Sequence, residues 1–183
     1  MTGPRTLTIA AVLLAGACVA NGAGPAPPPK DGLTGAQADE TLRAHNAWRK
    51  RAGVRALRWG NDLASRAQLR ATYLAAHGCG ITHGELPEDV GESLYLGWPL
   101  MVDRRPDAFN PTTPTQVVDA WGEESKFYSE KTDTCEAEKV CGHYTQMVWP
   151  STDEVGCGMA VCPSLGQVWV CNYRPRGNIR IIR

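Results

Sequence analysis

Glu124 is a carboxylate set among apolar residues. Thr113, Pro114 and Gln116 form a helix-start signal, in which Thr113 is the N-cap and Gln116 completes a capping box. The helix that follows has an apolar stripe at offsets of four, seven and eleven, formed by Val117, Trp121, Glu124 and Tyr128. Because burying a carboxylate is costly without a partner, Glu124 should face inward against a hydrogen-bonding or charged group.

His143 belongs to the segment CGHYTQMVWP, residues 141–150. Its alternation predicts a strand over residues 144–149, with His143 at the mouth of that strand. A histidine next to a glutamate can exchange protons near neutral pH, and both side chains are ordinary ligands of divalent transition ions.

The cysteines indicate an oxidising compartment. Cys18 lies in the N-terminal segment, and six cysteines remain, an even number that predicts three disulfides. Spacing alone leaves their pairing open. A zinc–thiolate site is disfavoured because no two of them have CxxC spacing.

Residues 1–20 have the composition of an export signal: Arg5 is followed by an uncharged, mostly apolar stretch, residues 7–17, too short to span a bilayer. The sequence is compatible with two alternative cleavage sites. One precedes Cys18, which would then carry a lipid anchor, the membrane attachment that the sequence suggests; the other follows Ala20. A Pro/Gly-rich linker, residues 21–33, precedes the folded domain at 34–183. We therefore expect a secreted protein, or one anchored by lipid to the cell envelope.

The charges do not suggest a nucleic-acid partner. Lys plus Arg and Asp plus Glu both number 19, and the basic residues are scattered. The densest clusters, Arg49-Lys50-Arg51 and Arg104-Arg105, are predicted to be solvated faces.

The remaining elements predict an α+β domain. A first helix opens at the Thr34/Gln37 capping box and closes at Gly53, and a second extends from Asn61 to Gly78. Their predicted inward stripes are Ala38, Leu42, His45 and Trp48, and Leu63, Ala67, Ala71 and Leu74. His45 is expected to be a core or interface histidine. Short strands follow residue 144, so helices should pack on an antiparallel sheet.

Residues 94–111 have little regular pattern but many apolar side chains. We predict a loop pinned to the core, with a ligand-binding lip as the alternative.

Two segments, GHYTQMVWPST (142–152) and CNYRPRGNI (171–179), resemble the signature motifs of the CAP superfamily of cysteine-rich secretory, antigen 5 and pathogenesis-related 1 proteins. The resemblance covers residues 38–179 and is greatest to the pathogenesis-related 1 branch. It implies a three-layer α-β-α sandwich with a small antiparallel sheet. It also implies the disulfides Cys79–Cys162, Cys135–Cys141 and Cys157–Cys171.

The same resemblance implies a central cleft formed by His83, Glu92, Glu124 and His143. Some relatives hold zinc or magnesium there, so a divalent cation is the expected cofactor. Without a recognisable nucleophile beside a base, catalysis is not predicted, and a metal-assisted hydrolase remains an alternative.

Relatives also bind sterols or fatty acids through an apolar loop, so a sterol, a fatty acid or another lipid is an expected partner. The matching residues here are Tyr95, Trp98, Leu100 and Met101. The further alternative is an extracellular module that recognises a protein partner, in which the four polar residues are purely structural.

Overall fold

The computed structural model describes residues 32–179, so the predicted export signal and most of the linker lie outside the described residues. The helices are α1 (Gly35–Arg51), α2 (Asn61–Ala76), α3 (Pro114–Gly122) and α4 (Gly142–Met147), with a 3₁₀ helix (Glu123–Phe127) after α3. Within this part of the chain, none of the helices is long and apolar enough to cross a bilayer.

The main sheet consists of the four strands β1 (Arg58–Trp59), β2 (Gly91–Gly97), β7 (Glu154–Val161) and β8 (Gln167–Arg174). Their order across the sheet is β1-β7-β8-β2. The β7–β8 and β8–β2 pairs are antiparallel as predicted, but the short β1 pairs parallel with β7. Two hairpins lie outside this sheet: β3 (Leu100–Val102) with β4 (Arg105–Ala108), and β5 (Tyr128–Ser129) with β6 (Thr134–Cys135).

The α-β-α sandwich implied by the resemblance is confirmed by the alternation along the central strands. Val168 and Val170 of β8 pack with Ala67 and Ala71 of α2. Trp169, Cys171 and Tyr173 pack in a second cluster that contains residues of α1, α3 and α4. Because successive side chains of a strand point to opposite faces, the sheet separates α2 from the other three helices.

The capping boxes of α1 and α3 are present as predicted, with the Thr34 and Thr113 hydroxyls accepting from the backbone N–H of Gln37 and Gln116. The predicted inward stripe of α2 is fully buried. That of α1 is only partly correct, because the buried residues are Thr41, Ala44, His45 and Arg49. The expectation of a solvated Arg49 is wrong.

The strand predicted over residues 144–149 is also wrong, because residues 142–147 form α4. Tyr144 and Met147, three positions apart, are buried on one side of it. A short apolar alternation does not distinguish a strand from one or two turns of buried helix. The contacts that stabilise this helix come from residues distant in the sequence, Arg49 and Glu124.

His45 on α1 is fully buried and hydrogen-bonded at both ring nitrogens. Nδ1 donates to the Thr41 carbonyl at 2.8 Å, which leaves Nε2 to accept from the Tyr173 hydroxyl at 2.9 Å. Burial, with a smaller contribution from the nearby Arg49 cation, lowers the pKa of His45 from 6.5 to about 4. The prediction of a core histidine is confirmed.

This neutral histidine makes stability depend on pH. The unfolded chain gains a proton on His45 below pH 6.5, whereas the folded chain takes it up only near pH 4. We therefore expect the free energy of unfolding to fall by about 3 kcal/mol across this range as the pH is lowered, with the full stability present above it. Urea titrations of the wild type and His45→Gln between about pH 7 and about pH 4 measure the slope. The variant should have a shallower slope, and equal slopes would contradict the assignment.

Candidate functional site

Glu124 lies on the 3₁₀ helix after α3 and holds α4 through both carboxylate oxygens. Oε1 accepts from Nδ1 of His143 at 2.6 Å, and Oε2 accepts from the backbone N–H groups of His143 at 2.9 Å and Tyr144 at 3.1 Å. Its side chain is 15% exposed. The prediction that Glu124 faces inward against a partner is confirmed. The same carboxylate satisfies two otherwise unpaired N–H groups at the start of α4.

The ring of His143 is fixed on a second side by Trp121. The two rings stack with centroids 5.8 Å apart and an interplanar angle of 17°. The indole N–H of Trp121 donates to the Leu94 carbonyl at 3.2 Å, which holds the tryptophan in place. Nδ1 faces Glu124, so Nε2 is the ring nitrogen left for a ligand, and it has no hydrogen-bond partner within residues 32–179.

A second pair joins His83, in the segment before β2, to Glu92 in β2. Nδ1 of His83 donates to Oε1 of Glu92 at 3.0 Å, and the backbone N–H of Gly84 approaches the same oxygen at 3.4 Å. The His83 side chain is 64% exposed, but that of Glu92 is 1% exposed. Its second oxygen, Oε2, is buried and has no partner among the described residues.

The two pairs lie against different helical layers. Glu92 and Leu94 are two positions apart in β2, so their side chains point to the same face of the sheet. Leu94 packs in the cluster that contains α2, and Glu92 therefore lies on the α2 side. Glu124 and His143 instead lie with α3 and α4. Within residues 32–179, no group of three or more His, Cys, Asp and Glu side chains could hold a metal ion. The structure thus forms two His–Glu pairs, and metal binding by all four residues stays a prediction.

The predicted apolar loop is a β-hairpin with an exposed tip. Val102 pairs with Arg105 across the turn residues Asp103 and Arg104, both of which have positive φ, as a type I′ turn requires. The side chains of Trp98, Leu100, Met101 and Val102 are 69%, 51%, 47% and 50% exposed. The expectation of a loop pinned to the core is wrong at this tip.

Tyr95 differs from the other predicted lipid-binding residues, because it lies within β2 and packs against the core cluster of α1 and α3. Val102 is an apolar residue of the tip that the sequence interpretation missed. Its alternation with Leu100 in a segment bounded by Pro99 and Asp103 was the available signal.

The three disulfides are Cys79–Cys162, Cys135–Cys141 and Cys157–Cys171, the pairing that the resemblance implied. Cys79–Cys162 links the segment after α2 to the end of β7, and Cys157–Cys171 joins β7 to β8. Cys135–Cys141 closes the short loop that leads into α4.

The described residues thus form an α-β-α sandwich that is cross-linked by three disulfides and carries two His–Glu pairs. The sequence profile of the cysteine-rich secretory protein family, CAP, matches residues 42–173, so the chain belongs to this family. It is 37% identical over 139 residues to pathogenesis-related protein 1A of Nicotiana tabacum, covering 76% of this chain and 75% of that protein. It is 33% identical over 159 residues to human GLIPR1-like protein 1, covering 76% of this chain and 59% of that protein.

Solved structures have the same fold. Schistosoma mansoni venom allergen-like protein 4 superposes with a TM-score of 0.61 at 24% identity, covering 80% of this chain and 92% of that chain. NaASP2, solved with Zn2+, superposes with a TM-score of 0.60 at 19% identity, covering 84% and 86%.

Proposed function

We propose that this protein is an extracellular binding module that takes up a lipid through the β3–β4 hairpin. The observation that carries the proposal is the exposed apolar tip formed by Trp98, Leu100, Met101 and Val102. Four neighbouring large apolar side chains at one hairpin are unusual on a free surface and are typical of a binding site. Three disulfides and membership of a family whose members are typically secreted support the extracellular location.

The hairpin is anchored where it leaves the domain. Gln167 of β8 donates to the Asn110 carbonyl at 2.6 Å and accepts from the backbone N–H of Thr112 at 3.4 Å. These bonds fix the chain after β4, while Gly97 at the other end belongs to the sheet. The tip therefore projects from a rigid base, which reduces the entropy lost when a ligand covers it.

The tip combines apolar side chains with a tryptophan and two arginines, Arg104 and Arg105. Tryptophan and arginine suit a boundary between hydrocarbon and polar head groups, because each has an apolar body and a polar end. A sterol or a fatty acid has both a hydrocarbon part and a polar head group, so we propose that the hairpin binds a lipid.

Native mass spectrometry with added cholesterol and palmitate tests the proposal. We expect the wild type to carry one of these lipids. Trp98→Ser combined with Met101→Ser should bind it about a hundredfold or more weakly, since each lost side chain removes about 2 kcal/mol of burial. The matched control is Val140→Ser with Ile81→Ser, which removes two exposed apolar side chains elsewhere. Equal lipid binding by both double variants would overturn the proposal. An absence of bound lipid would favour protein recognition.

Divalent-cation binding is the second candidate. The observation that favours it is that each histidine donates through Nδ1 to a glutamate, the arrangement that orients metal-binding imidazoles, and so leaves Nε2 available. NaASP2, which shares the fold, was solved with Zn2+. The same spectra recorded with zinc test it: His83→Ala with His143→Ala should lose zinc and keep the lipid. Unchanged zinc uptake would exclude these histidines.

A further inference from the structure

A cavity of about 680 Å³ lies between α2 and the segment that leads into β2. Its volume is in the range typical of small-molecule sites. It is separate from the hairpin tip and from the Glu124–His143 pair, and its lining residues are Asp62, Ser65, Arg66, Leu69, Arg70, Gly84, Glu85, Leu86 and Glu92.

Glu92 lines this cavity and carries an unsatisfied acceptor. Its side chain is 1% exposed, and Oε1 is already engaged by His83. Oε2 is buried without a hydrogen-bond partner among the described residues. A buried carboxylate oxygen without a hydrogen bond is destabilising. A ligand group that donates to this carboxylate, above all a positively charged one, would remove that cost.

Arg70 also lines this cavity and carries an unsatisfied donor. Its Nη2 donates to the Thr82 carbonyl, but its Nε is buried without a partner within residues 32–179. Arg70 forms no ion pair in the described part of the chain, although its guanidinium lies over the ring of Tyr73 at 5.4 Å. A guanidinium held in this way is suited to a carboxylate, which accepts from it in charge-assisted hydrogen bonds.

Gly84 lets the guanidinium lie against the backbone of the loop. A Cβ at this position would be 3.1 Å from both Cζ and Nε of Arg70, tighter than an ordinary contact. The absence of a side chain at residue 84 therefore leaves room for the Arg70 head group at the cavity wall.

The remaining walls include apolar surface. Leu69 is 75% exposed on the outward side of α2, and Leu86 lies in the opposite segment. A ligand with an apolar body would cover both side chains and remove them from water.

We propose that this cavity binds an amphoteric small molecule with an ammonium group, a carboxylate and an apolar body, the chemistry of a free amino acid or a short peptide. The ammonium donates to the Glu92 carboxylate, and the ligand carboxylate accepts from the Arg70 guanidinium. The apolar body contacts Leu69 and Leu86. This site is independent of the proposed lipid function.

Isothermal titration calorimetry of the full chain in EDTA tests the proposal with the standard amino acids and the dipeptide Leu-Leu. We expect an apolar amino acid or the dipeptide to bind. The preference between them shows whether the site takes a free amino acid or a short peptide. If leucine binds, leucinamide and N-acetyl-leucine, which lack the carboxylate and the ammonium, should each bind about tenfold or more weakly. These comparisons use unaltered protein and do not depend on how a variant folds.

Two isosteric or shortened variants assign the contacts. Glu92→Gln and Arg70→Gln should each weaken binding about tenfold or more, whereas the matched exposed changes Glu88→Gln and Arg43→Gln should leave it unchanged. Circular dichroism checks that each variant is folded. The proposal is overturned if none of the probes binds at millimolar concentration, which would leave an ordered water as the partner of both atoms. It is also overturned if binding needs zinc, or if it persists in both site variants.

Discussion

Replacing Arg49 with methionine is expected to lower the free energy of unfolding by about 4 kcal/mol. Arg49 is fully buried in α1 and donates only to backbone carbonyls. Nε donates to Arg55 at 2.5 Å, Nη1 to Met147 at 2.8 Å and Trp149 at 3.0 Å, and Nη2 to Thr152 at 3.0 Å.

The cost arises because methionine fills much of the space but makes none of these bonds. Four carbonyls lose the Arg49 donor, although that of Trp149 still accepts from the backbone N–H of Thr152 at 3.1 Å. The carbonyls of Met147, Trp149 and Thr152 belong to the end of α4 and the turn after it. Unsatisfied buried carbonyls are more costly than the loss of an average hydrogen bond. The variant should therefore loosen the attachment of α4 to α1.

Urea denaturation of Arg49→Met measures the effect, with Arg43→Met as the matched control on the exposed side of the same helix. The control should change stability by less than about 0.5 kcal/mol. Comparable losses in the two variants would show that the buried carbonyl contacts contribute little.

The Cys79–Cys162 disulfide should contribute most among the three cross-links. Its cysteines are 83 residues apart in sequence, whereas those of Cys135–Cys141 are 6 apart. Because a cross-link restricts the unfolded chain more when it closes a longer loop, replacing the long link by two alanines should cost about 4.5 kcal/mol, and the short link about 2 kcal/mol.

Alanine is the appropriate replacement, since Cys162 is 2% exposed within the apolar cluster under α2 and a serine hydroxyl there would add a second penalty. Urea titrations of the two double variants, each with the other disulfides intact, compare the losses. A larger loss for Cys135→Ala with Cys141→Ala would reverse the expected order and point to native contacts as the dominant effect.

The sequence was most informative where a structure is determined by neighbours in the chain. The capping boxes at Thr34 and Thr113 and the stripe of α2 depend on residues three or four positions apart, and all were predicted correctly. The inward orientation of Glu124 followed from the same periodicity, even though the α-helix ends at Gly122 and the chain continues as a 3₁₀ helix. The disulfide pairing came from the family resemblance.

The sequence was least informative where the decisive contacts join residues that are far apart in the chain. The six residues of α4 are too few for a stable isolated helix, and its ends are held by Glu124 and Arg49, which are 19 and 98 residues away from His143 and Met147. A local pattern contains neither contact, so it predicted a strand. The burial of Arg49 was missed for the same reason, because its acceptors are carbonyls that no side-chain pattern shows.

The double role of Glu124 has a consequence for comparing members of this family. One oxygen orients the ring of His143, and the other terminates the backbone of α4. We therefore expect selection for a properly formed α4 to preserve this glutamate even in a descendant that has lost every ligand of the site. The presence of the His–Glu pair in a relative is thus a record of shared architecture, and inheritance of an activity has to be demonstrated by other means.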